Sequence, residues 1–445
     1  MCFSTASIPD VFEEAYPGRT SEGLIDKFLL MNVASCLAVT DAVARFGLQK
    51  CIKASSLLMA IGCWLRSGLG FVPILFEVLG IREYCSVFLE ARVFGIPLFG
   101  LPPYPMIFVG TLMVGMAQPF FQCTPPLLSA QWFASNERAT STAVTLNFNQ
   151  VGIAVAFLVA GSMAGDDINE GDDSTNDGLM GYFSLIAMLS TVVCIGTFLH
   201  FEDVPPIPPS QSELEKIQNS KHHDEPPFWE SVRNFFSTPG FGRPLVAFIF
   251  SIAITNVVGA FIDEVMERGG VTDRRSIAWA GCGFELAIVF GGIILGKYVD
   301  RTKEYKRVTN TCILLSLVFL LPLGLTEHRI GKEPKLLVAS LLCLGFFVGP
   351  VQPINAELAV DVTYPADETA VESVQQFGGN FCSALLVPVA GRAAKLDYQL
   401  LPKIPLLASD IRGDVIFMMA LSIFTYLFYR SFNAPLRRSI ADGFD

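Results

Sequence analysis

Long apolar runs, several of them uncharged, recur along this chain, and most come close to the roughly 20 residues that a helix needs to cross a bilayer. They fall at about 23–46, 51–71, 105–133, 138–163, 179–201, 245–266, 276–299, 308–325, 335–362, 369–394 and 415–432. In lipid every backbone N–H and C=O must find its partner within the protein, which leaves helices and closed barrels as spanning structures. A barrel needs short segments of alternating polarity, whereas these runs are continuous. The chain is 51% hydrophobic and 16% charged, where a soluble chain carries about 25% charged residues. The expected fold class is an all-α polytopic membrane protein with eleven full spans. An apolar stretch at 1–12 is too short to cross and reads as a fragment of helix 1.

The longest polar segment, 202–243, contains PPIPPS, KHHDEPP and FSTPGFGRP. Proline-rich composition of this kind makes a spacer. The expected organisation is an N-terminal transmembrane half at 1–201 with helix 1 incomplete, a cytoplasmic linker at 202–243, a C-terminal transmembrane half at 244–432 and a cytoplasmic tail at 433–445. Two short loops are basic, one with Arg45, Lys50 and Lys53, the other with Lys297, Arg301, Lys303, Lys306 and Arg307. With the linker inside, both loops lie on its side as the positive-inside rule favours and the acidic loop 165–178 lies on the other, while the loop between the ninth and tenth helices is basic though outside and the next is acidic though inside. The start, MCFSTASIPDVF, has no basic n-region and no long h-region, so no signal peptide is read there.

The 11 Cys are scattered, with no CxxC pair. None of His200, His222, His223 and His328 lies mid-span. No disulfide framework, metal site or cofactor is expected. A net charge of −11 argues against nucleic acid. The expected partners are the lipid bilayer and a small-molecule solute, with the chain acting as a monomer. The expected location is the plasma membrane, with an endomembrane as the alternative.

The two basic loops occupy the same place in each half, between its second and third helix. Matching features in two six-helix halves suggest a duplicated transporter. The second loop, GKYVDRTKEYK, resembles the G-x-x-x-D-R-x-x-x-x-K/R signature of the major facilitator superfamily through Gly296, Asp300 and Arg301. The first copy has Ala44 where an acid is usual but keeps Gly47. The resemblance implies a latch in which Asp300 faces the N-terminal end of the fifth span, near Arg138. The alternative is a solvated basic loop that sets topology alone.

A narrower resemblance rests on AQPFF, Pro125-Pro126, SAQWF, ERATSTA and NFNQVGIAVAF, then LGKYVDRTKEYKRVT, NAELAVDVTYPADET and VQQFG. Together these are similar to the feline leukemia virus subgroup C receptor-related transporters, over most of the chain. The resemblance implies the major facilitator fold and transport of small organic solutes, choline and related amines or haem among them. It places a substrate-contacting glutamine pair on Gln150 and Gln375. Amides in mid-span are functional candidates by default, although amides also join neighbouring helices. Asn149 and Gln376 read better in that second role. The family's helix 1 tryptophan and helix 7 tyrosine fall near Cys2 and Asn256. A quaternary ammonium site needs aromatic faces, and Phe148 and Phe377 are the replacement candidates.

Glu285 and Glu357 lie deepest among the intramembrane carboxylates and are candidates for coupling or gating. No His cluster, nucleophile elbow or phosphate loop points to an enzyme. The leading expectation is a facilitative carrier working by alternating access. The alternatives are a proton-coupled symporter of another solute and a non-transporting, receptor-like or degenerate paralogue.

Overall fold

The computed structural model describes residues 9–68, 92–93, 96–97, 101–163, 172–202, 204–220, 228–271, 273–325, 333–398 and 410–443. Cys2, the acidic stretch 165–171, most of the 72–104 connection, His222, His223 and His328 lie outside these residues. The described chain is almost entirely helical: α1 (Pro9–Ala15), α2 (Ser21–Phe46), α3 (Leu48–Ser67), α4 (Tyr104–Gln122), α5 (Pro125–Trp132), α6 (Arg138–Met163) and α7 (Asp172–His200) come first. α8 (Gln211–Ser220) and α9 (Phe228–Ser237) lie in the polar segment. Then follow α10 (Gly242–Ala260), α11 (Ile262–Arg268), α12 (Arg274–Thr302), α13 (Tyr305–Gly324), α14 (Pro334–Val348), α15 (Val351–Thr363), α16 (Glu368–Ala393), α17 (Gly413–Tyr429) and α18 (Arg437–Ala441). Two two-residue hairpins, Arg92–Val93 with Ile96–Pro97 and Asp397–Tyr398 with Ile411–Arg412, are the only sheets among the described residues.

Among the described residues 8 helical spans are long and apolar enough to cross a membrane. α3, α16 and α17 occupy the other three expected positions and are more polar or shorter, α17 at 17 residues. The run at 245–266 is divided at Phe261 between α10 and α11, and two other expected spans are each built from two helices at a proline. The run at 105–133 breaks between α4 and α5, ahead of Pro125-Pro126, and the run at 335–362 breaks at Gly349-Pro350. Proline has no N–H to donate and its ring crowds the carbonyl of the preceding turn, so the ladder is interrupted there. Helix starts are capped: Asp367 accepts from the Thr369 and Ala370 N–H groups, and Asp273 from Ser276.

Contacts divide the chain into two compact units. Unit 1 comprises Met1–Ala38, Ala42–Phe121 and Val155–Asp203. Its core gathers Phe12, Leu24, Ile107, Leu179, Tyr182 and Phe183. Here α3 and α4 approach closely, since a Cβ on Gly62 would stand 2.8 Å from the Gly110 carbonyl oxygen. Unit 2 comprises Val39–Asp41, Gln122–Ala154 and Val204–Asp445. It therefore combines the last spans with α5 and the first turns of α6. Its core includes Phe250, Ile254, Phe284, Leu344, Ile354 and Leu358, all shielded from solvent. A Cβ on Gly291 of α12 would stand 2.1 Å from the Phe346 carbonyl oxygen of α14, so small residues set the distance between these helices. Large apolar side chains such as Val192, Phe290, Leu385 and Phe424 remain exposed on spanning helices, where lipid is their solvent.

Candidate functional site

The start of α6 meets the end of α12 through one carboxylate. Asp300, only 2% exposed, accepts from the Ala139 N–H at 2.8 Å, the Thr140 N–H at 2.8 Å and the Thr140 hydroxyl at 2.5 Å. The first N–H groups of a helix have no partner within it. An anion placed there is held by charge-assisted bonds and by the helix dipole. Glycines allow the approach: a Cβ on Gly296 would lie 3.0 Å from the Ala139 carbonyl oxygen, and one on Gly292 would lie 2.1 Å from Asn147 Nδ2. The Lys303 ammonium, in the turn after α12, donates to the Ser135 carbonyl at 2.9 Å. Arg301 is exposed.

Arg138 turns away from Asp300 toward the polar segment and the tail. Its guanidinium binds Asp442 at 2.6 Å and donates to Ser212 at 3.1 Å and to Ser210. Asp442 also accepts from the Ser212 N–H at 2.9 Å. α18 docks on α15, where Asp361 accepts from the Arg438 N–H at 3.0 Å, from the Ser439 N–H at 3.1 Å and from the Ser439 hydroxyl. The Arg438 side chain, 3% exposed, lies 3.6 Å from Glu357, and Thr142 of α6 donates to the same carboxylate. Lys216 of α8 pairs with Glu368 at the start of α16. Burial opposes the Lys216 charge, yet Glu368 and Asp367 outweigh it and raise its pKa. Burial and the nearby Glu368 both push the Glu213 carboxyl up.

The amides lie further along α6 and α16. Gln375 is fully buried, and its Nε2 donates to the Asn355 carbonyl of α15 at 3.1 Å while its Oε1 has no partner. Gln150 is half-buried, and its Oε1 is likewise shut from solvent without a partner. No hydrogen bond joins the two glutamines. Asn149 and Phe148 are exposed, Phe148 by 63%. Phe377 is stacked on Phe381, with ring centroids 5.9 Å apart. Asn256 donates to the Ser383 hydroxyl at 3.0 Å. Glu285, 3% exposed, has an oxygen with no partner and sits beside Gly259 of α10.

Sequence reasoning passed over Asp361, Arg438 and Asp442. One signal was available: Glu357 and Asp361 are four residues apart and so share a face of α15. Arg437 and Arg438 carried no such signal, because basic residues in a tail also set topology. Asn147, 1% exposed, is a further buried amide, set against Gly292.

The Major Facilitator Superfamily matches this chain over residues 85–386 and 244–435. Solute carrier family 49 member A3 of Xenopus tropicalis is 25% identical over 345 residues, 77% of this chain and 63% of that protein. The choline/ethanolamine transporter FLVCR2 of Homo sapiens is 22% identical over 341 residues, 77% of this chain and 58% of that protein. The chain thus spans about three-fifths of the length of these curated relatives. Among solved structures, a variant of the E. coli fucose:proton symporter FucP aligns with a TM-score of 0.66 at 10% identity, covering 98% of this chain and 96% of that one. The proton:xylose symporter XylE aligns with a TM-score of 0.65 at 13% identity, covering 99% and 94%. At such identities the likeness is one of fold.

Proposed function

This chain belongs to the major facilitator superfamily, and on that premise we propose that it is a transporter and not an enzyme, a facilitative carrier of a small organic amine. Choline and ethanolamine are the solutes named for FLVCR2. One observation carries the reading: Gln150 on α6 and Gln375 on α16 each keep an amide oxygen away from solvent and without a partner. An amide oxygen accepts from a solute hydroxyl or ammonium and adds no charge to the site. The halves 1–201 and 244–432, joined by the linker 202–243 on the cytoplasmic side, alternate access to this pair. The bonds of Asp300 to α6 and of Arg138 to Asp442 hold the cytoplasmic end between cycles. The carrier works as a monomer in the plasma membrane.

Flux into proteoliposomes tests the reading. Wild-type protein takes up choline or ethanolamine above empty vesicles, and Gln150→Ala and Gln375→Ala each lower uptake at least tenfold. Uptake of both amines at background would overturn it.

Proton-coupled symport is the second reading, favoured by the unpartnered buried oxygen of Glu285 and by the proton symport named for FucP and XylE. It requires uptake to follow an imposed pH gradient and Glu285→Gln to abolish that dependence. Uptake indifferent to the gradient excludes it.

A further inference from the structure

Four buried oxygens around Gln375 lack a donor, and one of them belongs to a carboxylate. Glu372 lies on α16 three residues before Gln375 and four before Gln376, so each glutamine is its neighbour along the helix surface. Glu372 is 0% exposed. Its Oε1 accepts from Gln376 Nε2 at 2.9 Å, and its Oε2 has no partner. Among the described residues, the buried cations at the linker end pair with Glu357, Glu368 and Asp442, and none forms an ion pair with Glu372. A carboxylate within the membrane calls for a partner of some kind.

The surrounding amides have their orientation imposed on them. A carbonyl or carboxylate oxygen only accepts, so the amide nitrogen must face it. Gln375 Nε2 faces the Asn355 carbonyl at 3.1 Å. Gln376 Nε2 faces Glu372 and, at 3.5 Å, the Gln122 carbonyl. Asn355 Nδ2 faces the Val351 carbonyl at 2.8 Å. The oxygens of all three therefore point elsewhere, and Gln375 Oε1, Gln376 Oε1, Asn355 Oδ1 and Glu372 Oε2 are left without donors. Buried acceptors in such number are uncommon in a finished structure and ask for an explanation.

We infer that Glu372, with these amide oxygens, selects solutes whose positive charge sits on a nitrogen bearing hydrogen: protonated primary amines and amino alcohols rather than quaternary ammonium. This rests on the carrier reading above. An R–NH3+ group brings three N–H donors and the charge that the carboxylate lacks. A quaternary ammonium brings charge but no donor, and is recognised by aromatic faces. None of the four residues that hold these oxygens carries an aromatic ring, and Phe377 stacks on Phe381. The solute reaches Glu372 when α15, α16 and the end of α4 part during the cycle.

The test uses the full chain in proteoliposomes and in nanodiscs, with methylammonium and tetramethylammonium as binding probes and ethanolamine and choline as flux probes. Wild type binds methylammonium at least tenfold more tightly than tetramethylammonium, and takes up ethanolamine in preference to choline. Glu372→Gln, close to isosteric, erases that preference while any choline uptake persists. Glu372→Asp, which keeps the charge, retains the preference and controls for folding. Equal binding of the two probes by wild type overturns the inference without any variant. Uptake of both amines with an unchanged ratio in Glu372→Gln overturns it and leaves the carrier reading intact. Selective binding without flux upholds the inference and sinks the carrier reading. Neither binding nor flux removes both.

Discussion

Asp300 takes the Ala139 N–H at 2.8 Å, so the end of α12 supplies the anion that the first turn of α6 needs. The neighbouring Thr140 N–H and hydroxyl complete the contact. Asp300→Ala leaves buried N–H groups without an acceptor, a loss of about 1–3 kcal/mol for each such group. Asp300→Asn keeps one acceptor oxygen and loses the charge, so its cost is smaller. Thermal unfolding of the purified protein in detergent should rank wild type above Asp300→Asn, and Asp300→Asn above Asp300→Ala. Equal melting of the two variants would remove the distinction between charge and hydrogen bonding.

Arg438 is the cation that faces Glu357 at the foot of α15. Removing one partner of a buried pair costs about 3–5 kcal/mol, because the other charge stays behind. Arg438→Met should destabilise strongly, and Glu357→Gln in the same chain should recover a large part of the loss. A double-mutant cycle on melting free energies measures the coupling. Additive effects would mean that the two charges are independent despite their 3.6 Å separation.

Glycine positions on the spans separate into tight and open ones. Gly291→Ala places a methyl group against the Phe346 carbonyl oxygen, and overpacking of this sort costs about 1–3 kcal/mol. Gly152 on α6 has nothing within 4 Å of a new Cβ, and alanine there is expected to be neutral or to stabilise by up to about 1 kcal/mol. Expression level and melting temperature in detergent read both outcomes. A Gly152→Ala variant as damaged as Gly291→Ala contradicts the packing.

The docking of α8 carries a pH dependence through Glu213. Burial and Glu368 raise its folded-state carboxyl pKa above the unfolded value. A raised carboxyl means that the docked state binds the proton more readily, so its contribution is full below the unfolded pKa and is lost as pH rises through the folded one. Hydrogen exchange in 211–216 should therefore slow as pH falls toward the carboxylate range, after correction for the intrinsic rate. Glu213→Gln should abolish that trend and protect the helix at neutral pH. Protection that strengthens with rising pH in wild type would reverse the sign and refute the assignment.

Apolar length made the fold legible, and AQPFF through VQQFG made the superfamily legible. The breaks at Cys123-Thr124 and at Gly349-Pro350 were not, because proline within an apolar run leaves the run apolar. Asp300 and Gly296 stood out through their spacing in GKYVDR. The tail did not: RRSIADG reads as a solvated basic end, while Arg438 is buried because Asp361 and Glu357 lie one turn apart on α15. Gln375 could be picked from its place in the sequence. The direction of its amide depends on the Asn355 carbonyl, 20 residues upstream and on another helix, and no local pattern encodes that.

The contacts around Arg138 join parts of the chain that a ribosome delivers at widely separated times. Arg138 and Thr142 emerge first, Ser210 and Ser212 follow, Glu357 and Asp361 come later, and Arg438 and Asp442 later still. While the chain is being inserted, the first turn of α6 and the foot of α15 wait with their charges unmatched. The segment that carries α18 thus completes the wiring of helices made well before it, and until it arrives Asp361 and Glu357 lack the backbone N–H groups and the guanidinium that face them.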